Sequence, residues 1–261
     1  MKYTVCVDLL YLEIGPRGPI FADTDKIIEG MKLAKATGFD TVEFWDWADK
    51  DMDRIYQTQK ELGLNISSIC AKDRGTLADP STHGNAIKGL EETIEVAKKL
   101  GCSKIIVTAR EMPGFDREES HKNIVEGYKK LAPIAEAAGM TLLLEPIWSP
   151  FPEFFRDSVE PFKVIEEVGS DHLKLLYDIF HYQLMEGNIL NTIKSHIDQI
   201  GHIHVAAAPN RSEITGGELN YSCILNEIKN LGYDGYIGLE YMPTMEKAES
   251  LKVCKAFLEN A

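Results

Sequence analysis

Four apolar runs in the second half of the chain stop at residues that can hold a metal or move a proton. Leu142-Leu143-Leu144 stops at Glu145, Leu175-Leu176-Tyr177 at Asp178 and Ile237-Gly238-Leu239 at Glu240, while His202-Ile203-His204 sets two imidazoles in a fourth run. Carboxylates crowded into one place raise each other's pKa, a penalty that a divalent cation removes. Two Glu, one Asp and one His make a hard-to-borderline donor set, suited to Mn²⁺, Mg²⁺ or Co²⁺. Glu145, Asp178, His204 and Glu240 are the expected ligands of one such ion. His202 and His204 share strand parity and so one face. His204 is chosen because it is nearer the end of its run, and His202 is expected to be buried and hydrogen-bonded.

Other residues flank this set. His181, three positions after Asp178, is expected to open a loop from which it can reach a substrate oxygen. Arg211 follows the histidine run, placed to meet an anion or a hydroxyl. Glu43 ends an earlier run, Thr41-Val42-Glu43, as a hydrogen-bonding group behind the ligands. Trp45, Trp47 and Trp148 fall just after apolar runs, where indoles can form a wall for a sugar. His181, Arg211, Glu43 and Trp148 make up the expected substrate-binding set. His83, His121, His172 and His196 are read as surface residues. No P-loop, H-E-x-x-H or G-x-S-x-G occurs, so phosphoryl transfer, zincin and serine-hydrolase chemistry lack support.

The elements that must position these residues are punctuated by glycine. Gly38, Gly63, Gly101, Gly139, Gly169 and Gly232 each close a segment of helical periodicity and precede a short apolar run. Strands are predicted at 3–8, 41–44, 66–71, 104–108, 141–145, 173–178, 202–205 and 236–240. Helices are predicted at 25–36, 52–62, 86–100, 118–138, 159–168, 189–199, 222–231 and 245–258. Continuously apolar strands suit a parallel sheet buried on both faces. Eight β/α units in 261 residues point to a (β/α)₈ TIM barrel, with the active site at the C-terminal strand ends. An open doubly wound sheet is the alternative, but no G-x-G-x-x-G follows any strand. No linker divides the chain, so residues 1–261 are expected to form one domain.

Composition excludes several classes. A net charge of −13 repels phosphate backbones, so no nucleic-acid partner is expected. No apolar run approaches the ~18 residues of a membrane span, and Asp8 interrupts the N-terminus before a signal-peptide core forms. Five scattered cysteines, never spaced C-x-x-C, fit a reducing cytoplasm. Helical outer faces could support a homo-oligomer.

On several stretches the chain resembles the xylose isomerase-like barrel superfamily, and within it the hydroxypyruvate isomerases and 2-oxo-tetronate isomerases. They are Phe39-Asp40-Thr41-Val42-Glu43-Phe44, Leu144-Glu145-Pro146-Ile147, the segment from Tyr177 to Gly187, Gly201-His202-Ile203-His204-Val205-Ala206, Gly217-Glu218-Leu219-Asn220-Tyr221 and Ile237-Gly238-Leu239-Glu240-Tyr241. The resemblance implies that Glu145, Asp178, His204 and Glu240 bind the metal and that Glu145 and Glu240 are the acid/base pair. It also implies that His181 and Arg211 face a small polyhydroxy carbonyl substrate, whose proton moves through a cis-enediolate. Two features depart from the isomerase pattern. His204 stands where hydroxypyruvate isomerases usually have Gln and sugar 3-epimerases have His, and Trp148 and Pro150 replace an Asn and an Arg. These departures make a ketose 3-epimerase acting on a neutral sugar the second expectation. A dehydratase or decarboxylase on an oxidised sugar, a repair nuclease on the same barrel and a non-catalytic sugar-binding barrel are the other rivals.

Overall fold

The computed structural model describes residues 1–16, 18–149 and 153–261. Its strands are β1 (Lys2–Cys6), β2 (Glu13–Gly15), β3 (Gly18–Ile20), β4 (Thr41–Glu43), β5 (Asn65–Ile66), β6 (Ile69–Cys70), β7 (Lys104–Thr108), β8 (Thr141–Glu145), β9 (Leu173–Asp178), β10 (Ile200–Val205) and β11 (Tyr236–Leu239). Its helices are α1 (Thr24–Ala36), α2 (Met52–Leu62), α3 (His83–Leu100), α4 (Arg117–Ala137), α5 (Val159–Val168), α6 (Ile179–Met185), α7 (Ile189–His196), α8 (Tyr221–Asn230) and α9 (Lys247–Asn260). The main sheet has the order β5-β4-β1-β11-β10-β9-β8-β7-β6, and β2 and β3 form a separate antiparallel hairpin. This is the order of the expected (β/α)₈ barrel, with β5 and β6 as the two pieces of its third strand.

Local chemistry accounts for the helix boundaries. The side chains of Asp23, Asp51 and Asn220 accept backbone N–H groups at the starts of α1, α2 and α8. Asp116 and Glu119 form a reciprocal capping box at the start of α4. Gly63, Gly101 and Gly169 end α2, α3 and α5 at φ of 61°, 69° and 67°, where a Cβ would crowd the following carbonyl.

Contacts group the chain into two compact units, Met1–Ser67 with His204–Ala261, and Ser68–Ile203. In the first, β1 pairs in parallel with β11 and β4, and β4 with β5. Its apolar interior includes Val5, Val42, Leu239, Ile27, Met31, Ile55, Leu225 and Leu251, all buried. In the second, β6, β7, β8 and β9 pair in parallel, with Thr108 opposite Glu145 at the end of the β7–β8 ladder. Leu142, Leu144, Leu175, Leu90 and Ile124 fill that interior, and the buried Tyr128 hydroxyl donates to the Val107 carbonyl at 2.9 Å. Burying each such aliphatic side chain contributes roughly 1.5–3 kcal/mol.

The structure corrects two expectations. The segment after Asp178 is the helix α6 rather than a loop, so His181 is helical. A 3₁₀ turn over Pro80–Thr82 leads into α3, which starts at His83 and turns that side chain inward. His83 is buried, with Nε2 2.9 Å from the Leu77 carbonyl, and is not a surface residue. Pro150, one of the departures from the isomerase pattern, lies outside the described residues. Among the described residues no helix is long and apolar enough to cross a membrane.

Candidate active site

The eight expected site residues fall into two groups, one in each unit, all at or just beyond C-terminal strand ends. Glu43, His204, Arg211 and Glu240 meet in the first unit. Glu145, Asp178, His181 and Trp148 belong to the second.

In the first group the buried His204 lies between two buried carboxylates. Its Nε2 is 3.0 Å from Glu43 Oε1, and its Nδ1 is 3.0 Å from Glu240 Oε2. Glu43 ends β4, opposite Cys6 on β1, and its second oxygen accepts the Ser67 hydroxyl at 2.8 Å. Glu240 follows β11 and is held from several sides. The Trp45 indole N–H donates to Oε1 at 2.8 Å, and the Arg211 guanidinium donates to Oε2. The sequence reading turns Arg211 toward the substrate; in this structure its guanidinium engages the Glu240 carboxylate. Its backbone is left-handed, at φ 49°, unusual for a side chain of this size. Its carbonyl accepts the Met242 N–H at 2.8 Å. Nearby, Glu213 accepts from the Thr244 backbone and hydroxyl and from Ser250, tying the loop that carries Arg211 to the start of α9.

Asp8 is a residue that the sequence reading misses. It is buried just past β1, and its Oδ2 accepts the Trp45 backbone N–H at 2.7 Å, steadying the turn whose indole reaches Glu240. Burial pushes its carboxyl up to about 7, against the lowering effect of that N–H and of Lys50. An apolar run stopping at an acid is the available signal, since Asp8 ends its run as Glu145 ends its own.

In the second group Glu145 closes β8 and Asp178 closes β9, both buried. Asp178 is also the N-cap of α6: its Oδ1 accepts the Phe180 N–H at 2.9 Å. One turn on, His181 sets Nε2 3.4 Å from Asp178 Oδ2. The Trp148 backbone N–H donates to His181 Nδ1 at 3.1 Å. Nδ1 therefore accepts, and the ring proton of neutral His181 sits on Nε2 as a hydrogen-bond donor. A neutral imidazole N–H can polarise a carbonyl or steady an enediolate oxygen. Trp148 is 43% exposed. Ion pairs of Arg156 with Glu111 at 2.6 Å and Arg110 with Glu153 at 3.9 Å tie the loops after β7 and β8 together. His202, one pleat before His204, is fully buried, as expected.

Residues 31–257 match the family model described as the xylose isomerase-like TIM barrel. The hydroxypyruvate isomerase of Escherichia coli K12 is 32% identical over 234 residues, 86% of this chain and 90% of that one. The 2-oxo-tetronate isomerase of Cupriavidus necator is 32% identical over 241 residues, 88% of this chain and 93% of that one. A solved structure described as AP endonuclease, family 2, from Brucella melitensis superposes with a TM-score of 0.87 at 22% identity, covering 98% of this chain and 99% of that one, and shows the shared fold. The chain belongs to the xylose isomerase-like TIM barrel family, in the group that holds the hydroxypyruvate and 2-oxo-tetronate isomerases, and it is an isomerase.

Proposed function

We propose that this protein is a divalent-metal-dependent isomerase of a small hydroxy-keto acid, working as one catalytic domain over residues 1–261. Glu145, Asp178, His204 and Glu240, all buried, would hold the cation. Three carboxylates and one imidazole fit Mn²⁺, Mg²⁺ or Co²⁺. The observation that carries the reading is the 3.0 Å approach of His204 Nδ1 to Glu240 Oε2, with His204 Nε2 at the Glu43 carboxylate. An imidazole nitrogen and a carboxylate oxygen at that distance can share one cation. A bound cation supplies Lewis-acid polarisation of the carbonyl and a counter-charge for the enediolate.

The chain's own groups supply the proton chemistry. One of Glu145 and Glu240 takes the proton from the carbon beside the carbonyl, and the other manages its return. The Trp45 indole fixes the direction of the Glu240 carboxylate. The His181 Nε2–H donates to a substrate oxygen, and Arg211 holds the Glu240 carboxylate that takes or returns the proton. The hydroxy-keto acid class follows the hydroxypyruvate and 2-oxo-tetronate isomerases that this chain resembles over most of its length. A 3-epimerase on a neutral ketose is the second reading, favoured by the exposed Trp148 indole as a face for a sugar.

The test is proton NMR in D₂O on metal-reconstituted protein given hydroxypyruvate, 2-oxo-tetronate and a panel of neutral ketoses. Deuterium entry beside the carbonyl of the keto acids is expected, with an aldehyde product from hydroxypyruvate and a 3-keto acid from 2-oxo-tetronate. Exchange restricted to the ketoses, with inversion at C3, replaces the first reading by the second. No exchange with any divalent metal sinks both.

A further inference from the structure

We propose that Glu43, Ser67 and Thr4 form a buried positioning relay that sets the tautomer of His204 and thereby selects the nitrogen it offers to a cation. The inference rests on the metal-site reading above. Thr4, Ser67, Glu43 and His204 are each at most 4% exposed, so water does not compete for their hydrogen bonds. An ionised carboxylate only accepts, so Ser67 Oγ, 2.8 Å from Glu43 Oε2, must be the donor in that bond. With its proton committed, Ser67 accepts from Thr4 Oγ1, also 2.8 Å away. The direction of the whole chain of bonds is thus determined at Glu43.

The other Glu43 oxygen lies 3.0 Å from His204 Nε2; as the accepting end of the relay, it assigns the proton of the neutral ring to Nε2. The lone pair then sits on Nδ1, the nitrogen beside Glu240 Oε2. A carboxylate behind a ligating imidazole orients the ring and strengthens it as a donor, and losing such a group typically costs 10–100-fold in metal affinity. The relay spans three neighbouring strands: Thr4 is in β1, Glu43 ends β4 and Ser67 follows β5, with Val5 opposite Val42 and Val42 opposite Ile66. That register brings the three side chains to one point.

The experiment combines long-range ¹H–¹⁵N NMR of the histidine rings with calorimetric titration of Mn²⁺ into wild type, Glu43→Ala, Glu43→Gln and Ser67→Ala. In the wild type His204 is expected as the Nε2–H tautomer, with its Nδ1 resonance moving when Zn²⁺ is added as a diamagnetic probe. Glu43→Ala is expected to mix the tautomers and weaken Mn²⁺ binding about 10–100-fold. Glu43→Gln should restore the tautomer, because its amide oxygen still accepts, and recover part of the affinity. An Nδ1–H tautomer in the wild type, or unchanged spectrum and affinity in Glu43→Ala, overturns the proposal. Should Glu43→Ala fail to fold, Ser67→Ala decides: no change in the His204 signals or in Mn²⁺ affinity overturns the relay. Wild type that binds no metal sinks the metal-site reading, whereas normal wild-type binding with no loss in the variants sinks this inference alone.

Discussion

The indole N–H of Trp45 donates to Glu240 Oε1 at 2.8 Å, joining residues 195 positions apart in the chain. The bond leaves Oε2 to His204 and Arg211 and gives the carboxylate one orientation. Trp45→Phe keeps an aromatic ring and removes the donor. A hydrogen bond to a charged group contributes about 1.5–3 kcal/mol, so kcat/KM should fall at least tenfold in steady-state isomerisation assays. An unchanged kcat/KM would show that the indole packs without orienting Glu240.

Glu240→Gln keeps the shape of the side chain and removes its basicity. Solvent deuterium exchange into substrate should drop about 10²–10⁴-fold while the circular dichroism spectrum and Tm hold. Full exchange in this variant rules out the two-glutamate scheme.

His181 and Trp148 make a paired prediction. The donor to His181 Nδ1 is a backbone N–H, so Trp148→Ala should leave the Nε2–H tautomer in place. His181→Phe removes the Nε2 donor and should lower kcat about 10²-fold, with a smaller effect on KM. ¹⁵N spectra of the ring and initial-rate kinetics read the two effects. Loss of the tautomer in Trp148→Ala would contradict the backbone assignment.

Asp8 gives a pH dependence. Burial raises its carboxyl from 3.8 to about 7, so the folded chain binds this proton more tightly than the unfolded chain does. Between those values folding takes up a proton, and stability falls as pH rises, by up to ~1.4 kcal/mol per unit. The penalty is absent below the lower value and complete above the upper one. In metal-free protein, Asp8→Asn should therefore be more stable than wild type near pH 8, with the advantage shrinking toward pH 4. Urea midpoints across that range measure it, and parallel curves for the two proteins would refute it.

Two glycines of α3 should respond with opposite signs to alanine. A Cβ on Gly89 would lie 2.2 Å from the Lys72 carbonyl oxygen, a backbone atom with little room to give. Gly89→Ala should cost about 1–3 kcal/mol despite the better helix propensity of alanine. A Cβ on Gly84 would meet nothing within 4 Å among the described residues, and Gly84→Ala should be neutral or stabilising by up to ~1 kcal/mol. Denaturant melts that rank the two the other way would show that the Lys72 segment yields.

Where an element is specified by its own neighbours, the chain can be read directly. Glu145 and Asp178 are visible because each stops an apolar strand, and Gly63, Gly101 and Gly169 because each closes a helix that needs a left-handed residue. The short helix α6 escapes such a reading because Asp178 ends a strand and caps a helix at the same position, leaving no gap in which a helix start could be seen. His83 escapes for a similar reason: its inward turn depends on the 3₁₀ turn that precedes α3.

The relations among distant residues are another matter. Thr4 and Ser67 are ordinary strand-edge hydroxyls in sequence, and Trp45 is one of three loop tryptophans. Their bonds to Glu43 and Glu240 exist because β1, β4, β5 and β11 pair in one register, which brings positions far apart in the chain within hydrogen-bonding distance. The sequence by itself determined which residues end the strands and hence which chemistry is available, because strand and cap signals are local. Only the tertiary structure decided which carboxylates flank His204 and which donors orient Glu240, because those depend on the side chains that neighbouring strands bring alongside.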